Sequence, residues 1–99
     1  MDFGKALRIS RAISGMQQKE LATRAGFDAS YISLVEKGLR RPSRSAINAL
    51  SSALGIPPSL FTFLALSQED TDLTDSEERE ELGRALAELL FAAKPVKVE

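Results

Sequence analysis

The sequence predicts an all-α fold in which five short helices are followed by one longer C-terminal helix. Its apolar residues recur at spacings of three and four rather than in alternation, which is the pattern of helices with one buried face. Asp, Ser, Gly and Pro residues, which favour helix starts and stops, separate these segments. The length of 99 residues, with 43% hydrophobic and 27% charged residues, fits one folded domain with at most one appended element.

The first two helices are predicted over residues 3–13 and 18–25. Helix 1 carries a stripe of apolar residues, and Asp2 is placed to cap its start. The stripe consists of Phe3, Ala6, Leu7, Ile9 and Ile13. A Ser-Gly pair at positions 14–15 interrupts the pattern, so a second, shorter helix begins after it.

The third and fourth helices follow a tight turn at Gly26, the residue type that adopts a positive φ without strain. Asp28 is placed to cap a helix over residues 29–37. After an arginine-rich connection, Ser43 can cap a fourth helix, which Gly55 ends. Helices 2 and 3 are therefore predicted to form a pair joined by a turn of only a few residues.

The fifth helix, over residues 59–66, is apolar around almost its whole circumference, so it needs cover on more than one side. Residues 67–73 are acidic and polar without periodicity, as is typical of a linker. Thr74 and Glu77 form a capping box that starts the last helix. This C-terminal helix is predicted for residues 74–94.

The composition excludes several classes of function. The chain contains no cysteine and no histidine, which argues against disulfides, thiol nucleophiles, most transition-metal sites and the usual general base. We therefore predict no metal, no cofactor and no enzymatic activity. No apolar run reaches the roughly 20 residues that span a bilayer, and the N-terminus has no secretory signal, so we expect a cytoplasmic protein.

The charge is segregated along the chain, although the net charge is only -1. Residues 1–66 contain nine Lys or Arg against four Asp or Glu, whereas residues 67–99 contain four against ten. A basic first part beside an acidic second part suggests a polyanion-binding domain joined to a segment that does not touch the polyanion.

Two segments around the predicted helix pair, residues 11–22 and 25–38, closely resemble the Cro/C1-type helix-turn-helix family, also called XRE-like regulators. Residues 41–43 and 53–56 resemble the fourth helix of the same family. The resemblance covers roughly residues 3–64. It implies a five-helix lambda-repressor-like DNA-binding domain, here residues 1–66, whose third helix enters the major groove of double-stranded DNA.

The resemblance also implies the residues that read the DNA. Gln18, at the start of helix 2, matches a phosphate contact, with a simple helix-start residue as the alternative. The positions that face the bases are Ala29, Ser30, Ser33 and Leu34, with Asp28 and Tyr31 at the edge of the surface. The alternative for Leu34 is a partly buried packing residue, and for Tyr31 a packing contact with helix 4. None of these residues is arginine or asparagine, so DNA shape or water is expected to carry part of the specificity.

Charged residues next to the third helix are expected either to contact the phosphate backbone of DNA or to stabilise the fold. The predicted phosphate contacts are Lys37, Arg40, Arg41 and Arg44, with an ordinary solvated basic loop as the alternative. Arg11 and Glu36 match an internal salt bridge of the family. Two departures from the family pattern are Gln17, which weakens a helix cap, and the order Ile9-Ser10, which shifts the buried face of helix 1.

The C-terminal helix lies outside the region of resemblance and carries an apolar stripe that requires a partner. Its residues are Leu82, Leu86, Leu89, Leu90 and Ala93, flanked by Phe91. A homodimer interface is favoured, and intramolecular cover is the alternative. The acidic residues form a solvated face, or alternatively contact RNA polymerase or another basic partner.

Together these features predict a sequence-specific transcriptional regulator, a repressor or autoregulator, that binds an inverted-repeat operator as a homodimer and is nucleoid-associated when bound. The alternative is an antitoxin-like or anti-repressor module of the same fold that acts mainly through its C-terminal helix.

Overall fold

The computed structural model describes residues 1–66 and 76–92, and these residues are helical with short connections and no strands. The six helices are α1 (Phe3–Ser14), α2 (Gln18–Ala25), α3 (Ala29–Glu36), α4 (Arg44–Leu54), α5 (Pro58–Leu64) and α6 (Ser76–Ala92). This arrangement confirms the predicted fold class. The predicted linker and Thr74 lie outside the described residues, as do the side chains of residues 76–78, 89 and 92.

Two of the predicted helix caps are present. The Asp2 side chain accepts a hydrogen bond of 2.9 Å from the Lys5 backbone N–H, and Ser43 Oγ accepts one of 3.1 Å from that of Ala46. Asp28 occupies the N-cap position of α3, but its side chain makes no capping bond, and the same holds for Gln17 before α2. The two helices of the central pair therefore begin without side-chain caps, and tertiary contacts must hold their first turns.

The core is formed by apolar side chains from all five helices α1 to α5. The largest fully buried apolar side chains are Leu7, Leu21, Ile32, Val35, Leu50 and Phe61. Each such side chain stabilises the fold by about 1.5–3 kcal/mol relative to exposure. Because α2 and α3 each contribute to this cluster, the core sets their orientation.

The buried face of α1 differs from the predicted stripe. Ile13 is 78% exposed and Ile9 is also exposed, whereas Ser10 is only 3% exposed. Phe3, Leu7 and Ser10 follow the i, i+4, i+7 spacing of one helix face, and that face does not pass through Ile9 or Ile13. The predicted stripe is therefore wrong at Ile9 and Ile13, whereas the shift of the buried face that the order of Ile9 and Ser10 predicts is present.

Gly4 marks a close approach between α1 and the C-terminal end of α3. A Cβ atom at this position would lie 2.7 Å from the carbonyl oxygens of Val35 and Glu36. The Arg8 guanidinium donates a hydrogen bond to the same Glu36 carbonyl. The absence of a side chain at Gly4 therefore allows α1 to fix the end of α3.

Helix α6 folds back onto α5 of the same chain. α5 contacts α1, α4 and α6, so it has the cover on several sides that its apolar composition requires. In α6, Ala85 is buried, whereas Leu86, Leu90 and Phe91 are exposed. The alternative of intramolecular cover thus applies to one part of α6, and another part of its apolar surface is open to solvent.

No single helix among the described residues is long and apolar enough to cross a membrane. α4 and α5 meet that criterion only as a pair bent by 103°, and both contribute buried residues to the core.

Candidate nucleic-acid interface

The candidate interface is the outer face of the α2–turn–α3 unit. Gly26 ends α2 with a φ of +81°, which lets the chain reverse direction within three residues before α3 begins. Ile32 and Val35 direct one side of α3 into the core. The other side of α3 therefore faces solvent, where it is free to enter a groove of matching width.

The residues predicted to read bases lie together on this outer face. Ala29, Ser30 and Leu34 are exposed, Asp28 before them is exposed, and Ser33 and Tyr31 are half-buried. Most of them line one shallow depression with a volume of about 420 Å³. Its lining residues are Gly26, Phe27, Asp28, Ser30, Tyr31, Leu34 and Arg40. The surface offers a carboxylate, hydroxyls, two aromatic rings and one guanidinium, and its apolar contribution comes from Leu34 and Phe27.

Tyr31 is held in a stack of three side chains. Its ring lies 4.5 Å from the ring of Phe27, centroid to centroid, with 21° between the planes. On the same ring, the guanidinium carbon of Arg40 lies 5.4 Å from the centroid, a cation–π contact. Burial raises the pKa of the Tyr31 phenol, and the positive charge of Arg40 offsets part of that rise. The phenol therefore stays protonated at neutral pH and can both donate and accept hydrogen bonds.

Arg11, Glu36 and Gln18 form a hydrogen-bonded network behind the outer face. The Glu36 carboxylate accepts hydrogen bonds from Arg11 Nε (2.6 Å), Arg11 Nη2 (2.9 Å) and Gln18 Nε2 (3.2 Å). Arg11 Nη1 also donates to the Met16 carbonyl at 2.9 Å. The network therefore joins α1, the start of α2 and the end of α3. Gln18, which was predicted to contact phosphate, uses one of its two amide N–H donors inside the protein.

The protonation of Glu36 follows from this network. Burial by itself raises the pKa of the Glu36 carboxyl, but the hydrogen bonds from Arg11 and Gln18 and the charges of Arg11 and Arg8 outweigh it. The net effect is a pKa below the ordinary value, so Glu36 is ionised at neutral pH. The hydrogen bond to Glu36 correspondingly raises the pKa of Arg11. The two side chains thus form a charged, partly buried ion pair.

The four predicted phosphate contacts Lys37, Arg40, Arg41 and Arg44 are all exposed. Two of them are adjacent in the chain, Arg40 and Arg41, but they contact different parts of the structure. Arg40 lies over Tyr31, beside the outer face of α3. The Arg41 guanidinium carbon lies 5.3 Å from the ring centroid of Phe3, and its Nη2 atom is 3.7 Å from Glu81 Oε2 on α6. The structure therefore groups Arg40 with the predicted base-reading residues, and Arg41 with α1 and α6.

Two residues that contact the predicted site residues were not predicted from the sequence. Phe27 supports Tyr31, and the signal for it was an aromatic pair four residues apart across the turn. Glu81 reaches Arg41, and no local pattern could show it because the two residues are 40 positions apart in the chain.

Part of the predicted dimerisation stripe is solvent-exposed on α6. Leu90 and Phe91 are 75% and 84% exposed, Leu86 is exposed, and Leu82 is half-buried. The side chain of Leu89 and the whole of Ala93 lie outside the described residues. Among the residues described, no group of His, Cys, Asp or Glu side chains could hold a metal ion.

Comparisons with known proteins point to one family. The sequence model of the helix-turn-helix domain matches residues 2–64. An uncharacterized HTH-type transcriptional regulator of Mycobacterium tuberculosis is 34% identical over 53 residues, which is 54% of this chain and 38% of the relative. One from Sinorhizobium fredii is 28% identical over 87 residues, covering 79% of this chain and 44% of the relative. The chain thus spans about two fifths of the length of these relatives.

Two solved structures are similar as well. The restriction-modification controller protein C.AhdI from Aeromonas hydrophila is 40% identical, with a TM-score of 0.59, over 61% of this chain and 91% of that one. The hypothetical transcription factor NHTF from Neisseria is 30% identical, with a TM-score of 0.57, over 75% of this chain and 86% of that one.

Proposed function

Because the chain belongs to the helix-turn-helix domain family of DNA-binding transcriptional regulators, we propose that it binds an inverted-repeat operator as a homodimer and represses transcription, including that of its own gene. The observation that carries the proposal is the exposed face of α3, which the core and the Arg11–Glu36 network hold in a fixed orientation. The similarity to a controller protein supports the assignment to transcriptional control.

In this proposal, residues 1–66 form the DNA-binding domain and α3 lies in the major groove. Ser30 and Ser33 offer hydroxyls to base edges, and Ala29 and Leu34 offer apolar contacts to thymine methyl groups. Asp28 and Tyr31 lie at the edge of the same surface, so they determine which bases fit beside it. Because α3 provides no bidentate donor, sequence-dependent DNA shape contributes to recognition.

Phosphate contacts supply the affinity. The proposed contacts are Gln18, Lys37, Arg40, Arg41 and Arg44. Gln18 retains one amide N–H for a phosphate while it binds Glu36 with the other. If three cationic side chains of each protomer neutralise phosphates, log K should fall with log salt concentration with a slope of about -5. A role confined to binding another protein would not produce such a slope on DNA.

A second copy of the chain is proposed to cover the apolar surface of α6. Leu86, Leu90 and Phe91 are exposed in the single chain, and Leu82 and Leu89 belong to the same predicted stripe. A two-fold axis through this region would present two α3 helices to half-sites about 34 Å apart on one side of the duplex. A dimer bound in this way blocks access of RNA polymerase to the covered segment.

Selection of bound duplexes from a random DNA pool tests the proposal. Enriched inverted repeats with half-site centres about 10 base pairs apart are the expected result. Sedimentation of the same protein should give a dimer, and Leu90→Ser together with Phe91→Ser should reduce it to a monomer. A pool without enrichment would overturn the proposal and favour the antitoxin-like or anti-repressor role through α6, whose exposed apolar residues suit a protein partner.

A further inference from the structure

Arg41 occupies a position between the first domain and the C-terminal helix. Its guanidinium lies over the Phe3 ring and faces the Glu81 carboxylate, with 3.7 Å between Arg41 Nη2 and Glu81 Oε2. Glu81 is half-buried, whereas Arg41 is exposed. A side chain that could neutralise a phosphate therefore already has an acidic partner in its own chain.

α6 and the start of α4 do not pack closely against each other. A groove of about 580 Å³ separates them, lined on one side by Arg41 and Arg44 and on the other by Glu81, Arg84 and Glu88. Of the described α6 side chains, Ala85 is the one that is buried. Because Arg41 is exposed at the edge of this groove, it can exchange Glu81 for another anion while α6 stays packed on α5.

We propose that Glu81 is an autoinhibitory group that competes with DNA phosphates for Arg41. The inference rests on the proposed DNA-binding function and adds a regulatory role for α6. Because Glu81 is tethered to the same chain, it competes at a fixed effective concentration, whatever the protein concentration. DNA binding then requires Arg41 to exchange one anionic partner for another, which lowers the affinity of the full chain.

Binding to a random-sequence 30-base-pair duplex at 50 mM salt tests this inference, because phosphate contacts do not depend on sequence. Glu81→Gln removes the competitor, and Glu80→Gln removes the same charge from an exposed neighbouring position on α6. Fluorescence anisotropy should show binding about 3- to 5-fold tighter for Glu81→Gln and changed less than about 1.5-fold for Glu80→Gln. Circular dichroism of both variants checks that the helices are retained.

A double-mutant cycle separates the ion pair from the general charge. In an Arg41→Gln background, Glu81→Gln should no longer change the affinity, since the residue it releases is gone. Equal effects of the two glutamine variants, or an effect of Glu81→Gln that persists without Arg41, would overturn the inference. These outcomes leave operator selection by the wild-type protein unaffected, so they are distinct from failure of the proposed function. A wild-type protein that binds no duplex even at low salt would overturn both.

Discussion

Replacing Arg11 by methionine should destabilise the fold far more than removing a surface ion pair. The Glu36 side chain is 6% exposed and that of Arg11 is 21% exposed, and Arg11 donates two of the three hydrogen bonds that reach the carboxylate. In Arg11→Met, Glu36 stays buried with Gln18 as its remaining partner in the network. Methionine fills a similar length of chain, so the loss is mainly electrostatic.

The expected loss of unfolding free energy is about 3 kcal/mol. Removal of one member of a buried pair costs about 3–5 kcal/mol, and the lower end applies because solvent reaches Arg11 from one side. For a domain of this size, about 3 kcal/mol corresponds to a fall in Tm of at least roughly 12 °C. Arg24→Met provides the matched control, because Arg24 forms an i, i+4 pair with Glu20 at 2.9 Å between two exposed side chains. That change should cost less than about 0.5 kcal/mol.

The pH dependence adds a second readout. In the wild type the folded-state pKa of Glu36 is lowered, so its stabilising contribution is present above the unfolded pKa of about 4.3 and is lost as pH falls through the folded value. In Arg11→Met, burial of Glu36 is no longer offset by Arg11, so its pKa should rise. The stability difference between the two proteins should therefore shrink between pH 7 and pH 4.

Urea unfolding followed by circular dichroism at both pH values measures these quantities. A loss of stability in Arg11→Met no larger than that in Arg24→Met would contradict the buried ion pair as its cause. A difference between Arg11→Met and the wild type that grows on acidification would contradict it as well.

Three further variants test separate features. Gly4→Ala should destabilise the protein by about 1–3 kcal/mol, because the added Cβ would meet two carbonyl oxygens. Gly83→Ala, in open space on α6, should instead stabilise that helix by up to about 1 kcal/mol. Equal Tm shifts of the two variants would contradict this. Ser51→Ala removes a buried hydroxyl without a hydrogen bond among the described residues and should raise stability by about 1 kcal/mol in urea unfolding, so a clear loss would contradict it. Tyr31→Leu should weaken operator binding about 2- to 5-fold by releasing Arg40, and Tyr31→Phe should retain that contact; an equal loss in both would assign the effect to the phenol instead.

Much of the secondary structure could be predicted because its signals are local. The predicted range of α2 matches the structure, and α3 and α4 begin where capping residues were expected. Ser43 and Asp2 form caps with their own chain a few residues away, so short-range sequence is sufficient to find them. The resemblance of residues 25–38 to the XRE-like family indicated which side of α3 should face outward, and the exposure of Ser30 agrees with it.

The remaining features depend on how the helices are placed in three dimensions. Ile13 is exposed although its hydrophobicity indicated burial, because the direction in which α1 packs leaves it outside the core. Adjacent positions 40 and 41 are both arginine, and only the fold distinguishes the one beside Tyr31 from the one beside Glu81. The close approach at Gly4 is equally a property of two helices that are distant in sequence.

The affinity of the selected operator duplex for Ser30→Glu and Ser52→Glu tests the central claim most directly. Both serines are exposed, and the two changes add the same charge, one at the outer face of α3 and the other on α4. Loss of at least about 10-fold for Ser30→Glu, with less than about 2-fold for Ser52→Glu, is expected if α3 lies against the bases. Equal affinities for the two variants would contradict the assignment of α3 as the DNA-reading helix.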